Sequence, residues 1–277
     1  MFRYLDLSAG RESQSPEPLF PGWSPEKERV AVFSPHDDDA LLGAGYLILA
    51  MLAEGAAVDL IIFCDGRAGY SRPEARESII VRRQEETRKA YQRLGLPPEA
   101  IQRLDLPDFS VPHYLGWKLP AGGEGLFARL IPLLRRLRPT RLCLPNGWRE
   151  HLDHTGVYQA GVFFGPQVGD AILADWGRAP AVRSVLVYSV WGDFPPAAAG
   201  SRELRADRAI LAPAEVEERV RQCLQEFASQ AEVIAPLVQA RSLRLDQGRA
   251  LELYQTLDPR PALDYRPYWP RVRALLK

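Results

Sequence analysis

Short apolar runs alternate with longer helical patterns from residue 28 to residue 240, and this alternation constrains the fold more than any other feature of the sequence. ERVAVFSP (28–35) reads as a buried strand. ALLGAGYLILAMLAEG (40–55) is apolar all round and stops at Gly55, as a buried helix does. AVDLIIFCDG (57–66) is a second strand, and RPEARESIIVRRQEETRKAYQRLGL (72–96) a long amphipathic helix ended by Gly95. IQRLDL (101–106), TRLCLPN (140–146) and VRSVLVYSVWG (182–192) are further strands. Helices are expected over 125–139 and 153–165, and a helix or helix pair over 214–240. This order implies an α/β fold: a Rossmann-like, mostly parallel sheet with helices on both faces. One domain is expected over 29–240, with an irregular arm at 1–28 and a Pro-rich, aromatic C-terminal extension at 241–277 packing on it.

The 35 basic and 35 acidic side chains balance, which argues against a bulk nucleic-acid or anionic-membrane binder. No apolar run reaches the ~20 residues of a membrane helix. The polar N-terminus lacks a signal-peptide core, so a cytoplasmic protein is expected. Cys64, Cys143 and Cys223 are far apart and form no CxxC, as buried free thiols would.

In parallel sheets ligands bind at the carboxyl ends of the strands. His36 follows the first strand, Asp65 the second, Asp108 the third, and Asn146 to His154 the fourth. Three of the four histidines fall in two short motifs there, HDDD (36–39) and HLDH (151–154). A helix N-cap needs one Asp, not three. Imidazoles with a carboxylate suit zinc, and His36, Asp39 and His154 supply the three protein ligands of a catalytic site. Such a metal lowers the pKa of its water and polarises a carbonyl. Asp38 is then the candidate base, and His151 the candidate proton donor or oxyanion partner. Asp153 lies between the two histidines as an orienting carboxylate. Ligand type alone leaves iron or another divalent ion open beside zinc.

HDDDALLGAG resembles the HPDDEVLGCGG signature of the PIG-L/LmbE-like deacetylases, zinc enzymes that remove acetyl from N-acetylglucosamine conjugates. The resemblance makes His36 and Asp39 metal ligands and Asp38 the general base. HLDH resembles the family's HPDH, with His154 the third ligand and His151 the acid or oxyanion partner. CDGRAG (64–69), the R-x-x-E of Arg83 and Glu86, LDLPDFSV with Asp108, and CLQEFASQ ending in Ser229 and Gln230 follow in the family's order. The resemblance spans roughly residues 28 to 232. Arg83 and Asp108 are thereby candidate substrate contacts, with Arg67 and Asn146 as further ones.

Asp37 stands where the signature has Pro, Ala40 where it has Glu, and Arg149 where some members carry Tyr. Asp37 inherits no role and is expected to be exposed or to cap the helix. The implied function is a zinc-dependent hydrolase of an N-acetyl sugar conjugate or related acylated amine. The alternative is a non-catalytic sugar- or nucleotide-binding module on the same fold. The expected partner is a small molecule, neither nucleic acid nor membrane, and a homo-oligomer stays open.

Overall fold

The computed structural model describes residues 1–196 and 204–276; Lys277, the end of the extension, lies outside them. Two short strands open the chain, β1 (Arg3–Asp6) and β2 (Arg11–Ser13). Then come β3 (Arg29–Ser34), α1 (Asp39–Ala53), β4 (Ala57–Cys64), α2 (Ile79–Leu94), β5 (Ile101–Leu106), α3 (Val111–Tyr114) and α4 (Leu126–Leu137). The chain continues with β6 (Arg141–Pro145), α5 (Leu152–Phe164), β7 (Ser184–Tyr188), β8 (Arg208–Pro213), α6 (Ala214–Leu224) and α7 (Ala231–Ala240). It closes with β9 (Leu245–Asp246), β10 (Arg249–Leu257) and α8 (Tyr268–Leu275).

All the strands join one sheet, ordered β2-β1-β8-β10-β7-β6-β3-β4-β5, with β9 paired to β10. The five strands β7, β6, β3, β4 and β5 are mutually parallel. β3 and β4 are buried on both faces, which is why they read as unbroken apolar runs. One core lies under α1, α2 and α6, and a second under α3, α4 and α5 on the other face. All three cysteines are buried and unpaired. Among the described residues no helix is long and apolar enough to cross a membrane.

Two expectations are corrected. The first 28 residues are not wholly irregular, because β1 pairs antiparallel with β2 and with β8 and extends the sheet. The C-terminal extension does not simply pack on a finished domain. Its strand β10 lies between β7 and β8, antiparallel to both, inside the sheet. Beyond it, residues 261–276 are exposed throughout and cover no core.

Helix α1 is broken at Ala44 (φ −134°, ψ 22°). One residue earlier, a Cβ on Gly43 would lie 2.1 Å from Tyr188 Cδ2, so only glycine allows this approach of α1 to β7.

Candidate active site and metal centre

Strand β3 has β4 on one side and β6 on the other: the chain runs outward from β3 through β4 to β5 and then crosses back to β6 on the opposite side. A crevice opens at such a switch point, beyond the carboxyl ends of the strands. The loop after β3 delivers HDDD to it, and the start of α5 delivers HLDH. His36 Nδ1 lies 3.1 Å from Asp39 Oδ2, and His154 Nε2 lies 3.1 Å from the same oxygen. The three donor atoms fall within 4.8 Å of one another. His154 Nε2 is buried and makes no hydrogen bond. Two imidazoles and a carboxylate with an orphaned ring nitrogen fit a divalent cation such as zinc.

The helix-cap explanation of the acidic run fails on the geometry. Asp38 occupies the N-cap of α1, yet its side chain accepts no capping hydrogen bond. Burial holds the Asp38 carboxyl above its usual range, against the pull of Arg83. Asp39 goes the other way. Burial opposes its ionisation, but His154 and His36 outweigh that and hold it well below the usual range. His154 answers in kind: burial disfavours its charge, Asp39 and Glu150 outweigh that, and it is pushed up to about 9.

Asp37 is neither exposed nor a cap, which corrects that expectation. It is fully buried and ion-paired to Arg83 (Nε–Oδ2 3.0 Å) and Arg103 (Nη1–Oδ1 2.5 Å), and it accepts from Thr87 Oγ1 at 2.7 Å. Two arginines neutralise it, so the three adjacent carboxylates meet three different environments.

Asp153 accepts from the Phe109 and Val111 amides and faces His36 Nε2 at 3.3 Å. Its own amide donates to His151 Nδ1 at 3.2 Å. Burial and the neighbouring His36 and His154 push the His151 imidazole down. A second group, His36, Cys64 and Asp153, also has metal-ligand spacing. Burial pushes the Cys64 thiol up to about 12, and the Asp153 oxygens of this group are already taken by the Phe109 and Val111 amides.

A small cleft of about 180 Å³ opens over this centre. Arg83, Asp108, Asp38, His36, His151 and His154 all line it. Arg83 is anchored by Asp37 and by Gln230 Oε1 (2.8 Å), while its Nη2 is buried without a hydrogen bond. Asp108 accepts from the Gly66 and Ala68 amides and so fixes the loop after β4. Glu86 receives the amide and hydroxyl of Ser229, and Gln230 donates to Gly69 O. The weaker sequence matches therefore meet around one cleft. Arg67 and Asn146 do not line it. Arg67 is half exposed and ion-paired to Asp65 at 2.6 Å, and Asn146 is buried, accepting from Trp148 N in its own loop and donating to Asp193 O in the loop after β7.

Three site residues escaped the sequence reading. Glu150 accepts from His154 Nδ1 at 2.8 Å with a fully buried side chain. Phe109 and Trp191 stand half exposed in the cleft wall. Glu150 adjoins HLDH, and that adjacency was its only signal. The aromatics carried none.

Residues 31–163 match the PIG-L family model, described as GlcNAc-PI de-N-acetylase. No curated protein sequence matches it. Among solved structures, N,N'-diacetylchitobiose deacetylase from Pyrococcus horikoshii aligns with TM-score 0.65 at 17% identity, over 84% of each chain. The 4-carboxy-2-hydroxymuconate hydratase GalB from Pseudomonas putida KT2440 aligns with TM-score 0.60 at 18% identity, over 86% of this chain and 99% of that one. Teicoplanin deacetylase Orf2, in a zinc-inhibited form, aligns with TM-score 0.53 at 17% identity, over 83% and 99%. At these identities the likeness establishes the fold, and the hydratase among them means that the fold alone does not fix the reaction.

Proposed function

We propose that this protein is a divalent-metal-dependent N-deacetylase that hydrolyses the acetamide of an N-acetylated sugar conjugate, with zinc as its metal. The observation that carries the reading is the convergence of His36, Asp39 and His154 on one point beside the uncapped, buried carboxylate of Asp38. The PIG-L match and the deacetylases among the structural neighbours support it.

His36, Asp39 and His154 would hold the cation, which when bound supplies Lewis acidity for the carbonyl and the attacking water. Asp38 is the base. Its raised pKa suits a group that takes a proton from water and then returns it to the departing amine. His151 accepts the Asp153 amide at Nδ1, which leaves Nε2 as its N–H. A neutral imidazole in that tautomer donates a hydrogen bond to the oxyanion of the tetrahedral intermediate. Collapse of that intermediate breaks the C–N bond and yields acetate and the free amine. Asp153 fixes His36 and the 109–111 backbone. Arg83, whose Nη2 makes no hydrogen bond and lies 3.7 Å from Asp38 Oδ1, and Asp108 are assigned to sugar hydroxyls. Arg67 and Asn146 are assigned to shaping the loops.

Elemental analysis of the purified protein is expected to find about one zinc per chain. His36→Ala and His154→Ala should each lose the metal and the release of amine from N-acetyl sugars. A His154→Ala variant with full turnover would end this reading. Wild-type protein that takes up no divalent metal would leave the non-catalytic binding module in its place.

A further inference from the structure

Phe109 lies in the left-handed region at φ +63°, which a bulky residue enters only at a cost. The conformation itself has a use. It brings the Phe109 amide to Asp153 Oδ2 at 2.6 Å while the Val111 amide reaches Oδ1 at 3.0 Å. Glycine would make the same turn without strain. Burial does not repay the side chain either, because the residue is 56% exposed. Its ring lies against His151, centroids 4.6 Å apart, in the wall of the cleft. Trp191, 50% exposed, belongs to the same wall. Neither the backbone nor the core asks for an aromatic at 109. Strain of this kind gathers where a ligand is handled.

We propose that Phe109 is the platform for the pyranose ring of the substrate. This deepens the deacetylase reading and rests on it. One face of an amino sugar presents C–H groups, which match the face of an aromatic ring, while its hydroxyls remain for polar partners such as Arg83 and Asp108. Set beside His151, the platform holds the acetamide toward Asp38 and His151. It selects cyclic N-acetyl sugars, with the strained φ retained for the sake of the ring.

The test compares wild type, Phe109→Gly and Phe109→Trp, all metal-loaded, on whichever of N-acetylglucosamine and N,N'-diacetylchitobiose the wild type hydrolyses. Phe109→Gly should raise Tm by about 2 °C, because the strain is relieved. It should also raise KM about tenfold with kcat within about twofold, the pattern of lost ground-state and transition-state binding alike. Phe109→Trp should restore KM. A fall in kcat at unchanged KM would overturn the platform and leave the ring as a support for His151. An unchanged KM and kcat would overturn it outright. Wild-type protein that releases amine from neither sugar would instead overturn the deacetylase reading, and the platform with it.

Discussion

His154 Nδ1 donates to Oε2 of Glu150, and the other oxygen of that carboxylate accepts the amides of Val190, Trp191 and Gly192 at 2.9, 3.0 and 3.1 Å and the Ser189 hydroxyl at 2.6 Å. One buried carboxylate thus fixes the tautomer that frees Nε2 for a metal and also ties down the loop carrying Trp191. Carboxylates behind a ligating imidazole raise its basicity, and their loss costs about 10–100-fold in metal affinity. Glu150→Gln keeps the volume and an acceptor for the loop but removes the charge. It should weaken zinc binding at least about tenfold in competition with a chelator, while activity returns at saturating zinc. Unchanged affinity would leave Glu150 a loop anchor alone. The convergence of His36, Asp39 and His154, the proposed metal ligands, was legible because two dense motifs sit at strand ends. Glu150 was not, since its loop partners lie forty residues further on. Asp37 misled for a related reason: the cations that neutralise it, Arg83 and Arg103, come from distant elements.

At the scale of elements, α1 reads in the sequence as one unbroken helix because it is apolar on every side. Its break at Ala44 depends on residues two hundred positions away. Leu42 O, freed from the helix ladder, accepts Arg241 Nη1 and Arg244 Nη2, each at 2.7 Å. The Tyr46 and Leu47 amides turn to Glu252 Oε1 of β10, at 2.9 and 3.1 Å. Leu42 O and the Tyr46 and Leu47 amides therefore keep partners at the kink, as buried backbone requires. Glu252 holds this arrangement from the strand side, with Arg244 on its other oxygen at 2.9 Å. Glu252→Ala should orphan two buried amides and strip Arg244 of its partner, for a loss of about 3 kcal/mol in urea unfolding. A loss below about 1 kcal/mol would mean that α1 can close into a regular helix without it.

For the molecule as a whole, the parallel half of the sheet was legible and the antiparallel half was not. β-α alternation announces β3 to β7, whereas β1 and β2 are too short to show a period. Strand β10 did carry one: RALELYQTL buries Ala250, Glu252 and Tyr254 in alternation. A charged residue on its inward face concealed it, because Glu252 serves α1 rather than the apolar core. The consequence is sharp for the C-terminal 30 or so residues, which divide into two unlike parts. Strand β10 bridges β7 and β8, pairing Thr256 with Leu186 and Leu251 with Leu211, and among the described residues it is the only link in the sheet order between the parallel strands and the β8-β1-β2 edge. Arg260 still touches the domain, ion-paired with Asp170 at 2.5 Å, but residues 261–276 are exposed throughout. A chain ended after Arg260 should therefore melt within about 1 °C of the full chain and keep its metal, since surface changes away from packed features are worth about 0.5 kcal/mol or less. A chain ended after Gln247 should show no cooperative transition, because the sheet loses its central antiparallel strand and α1 loses Glu252 together. Circular dichroism melts of the two truncations decide it. If the shorter cut instead lowered Tm by several degrees, the exposed Tyr265, Trp269 and Leu275 would have a partner surface in solution, and the mass of the full chain against the truncated one would tell whether that surface belongs to a second copy.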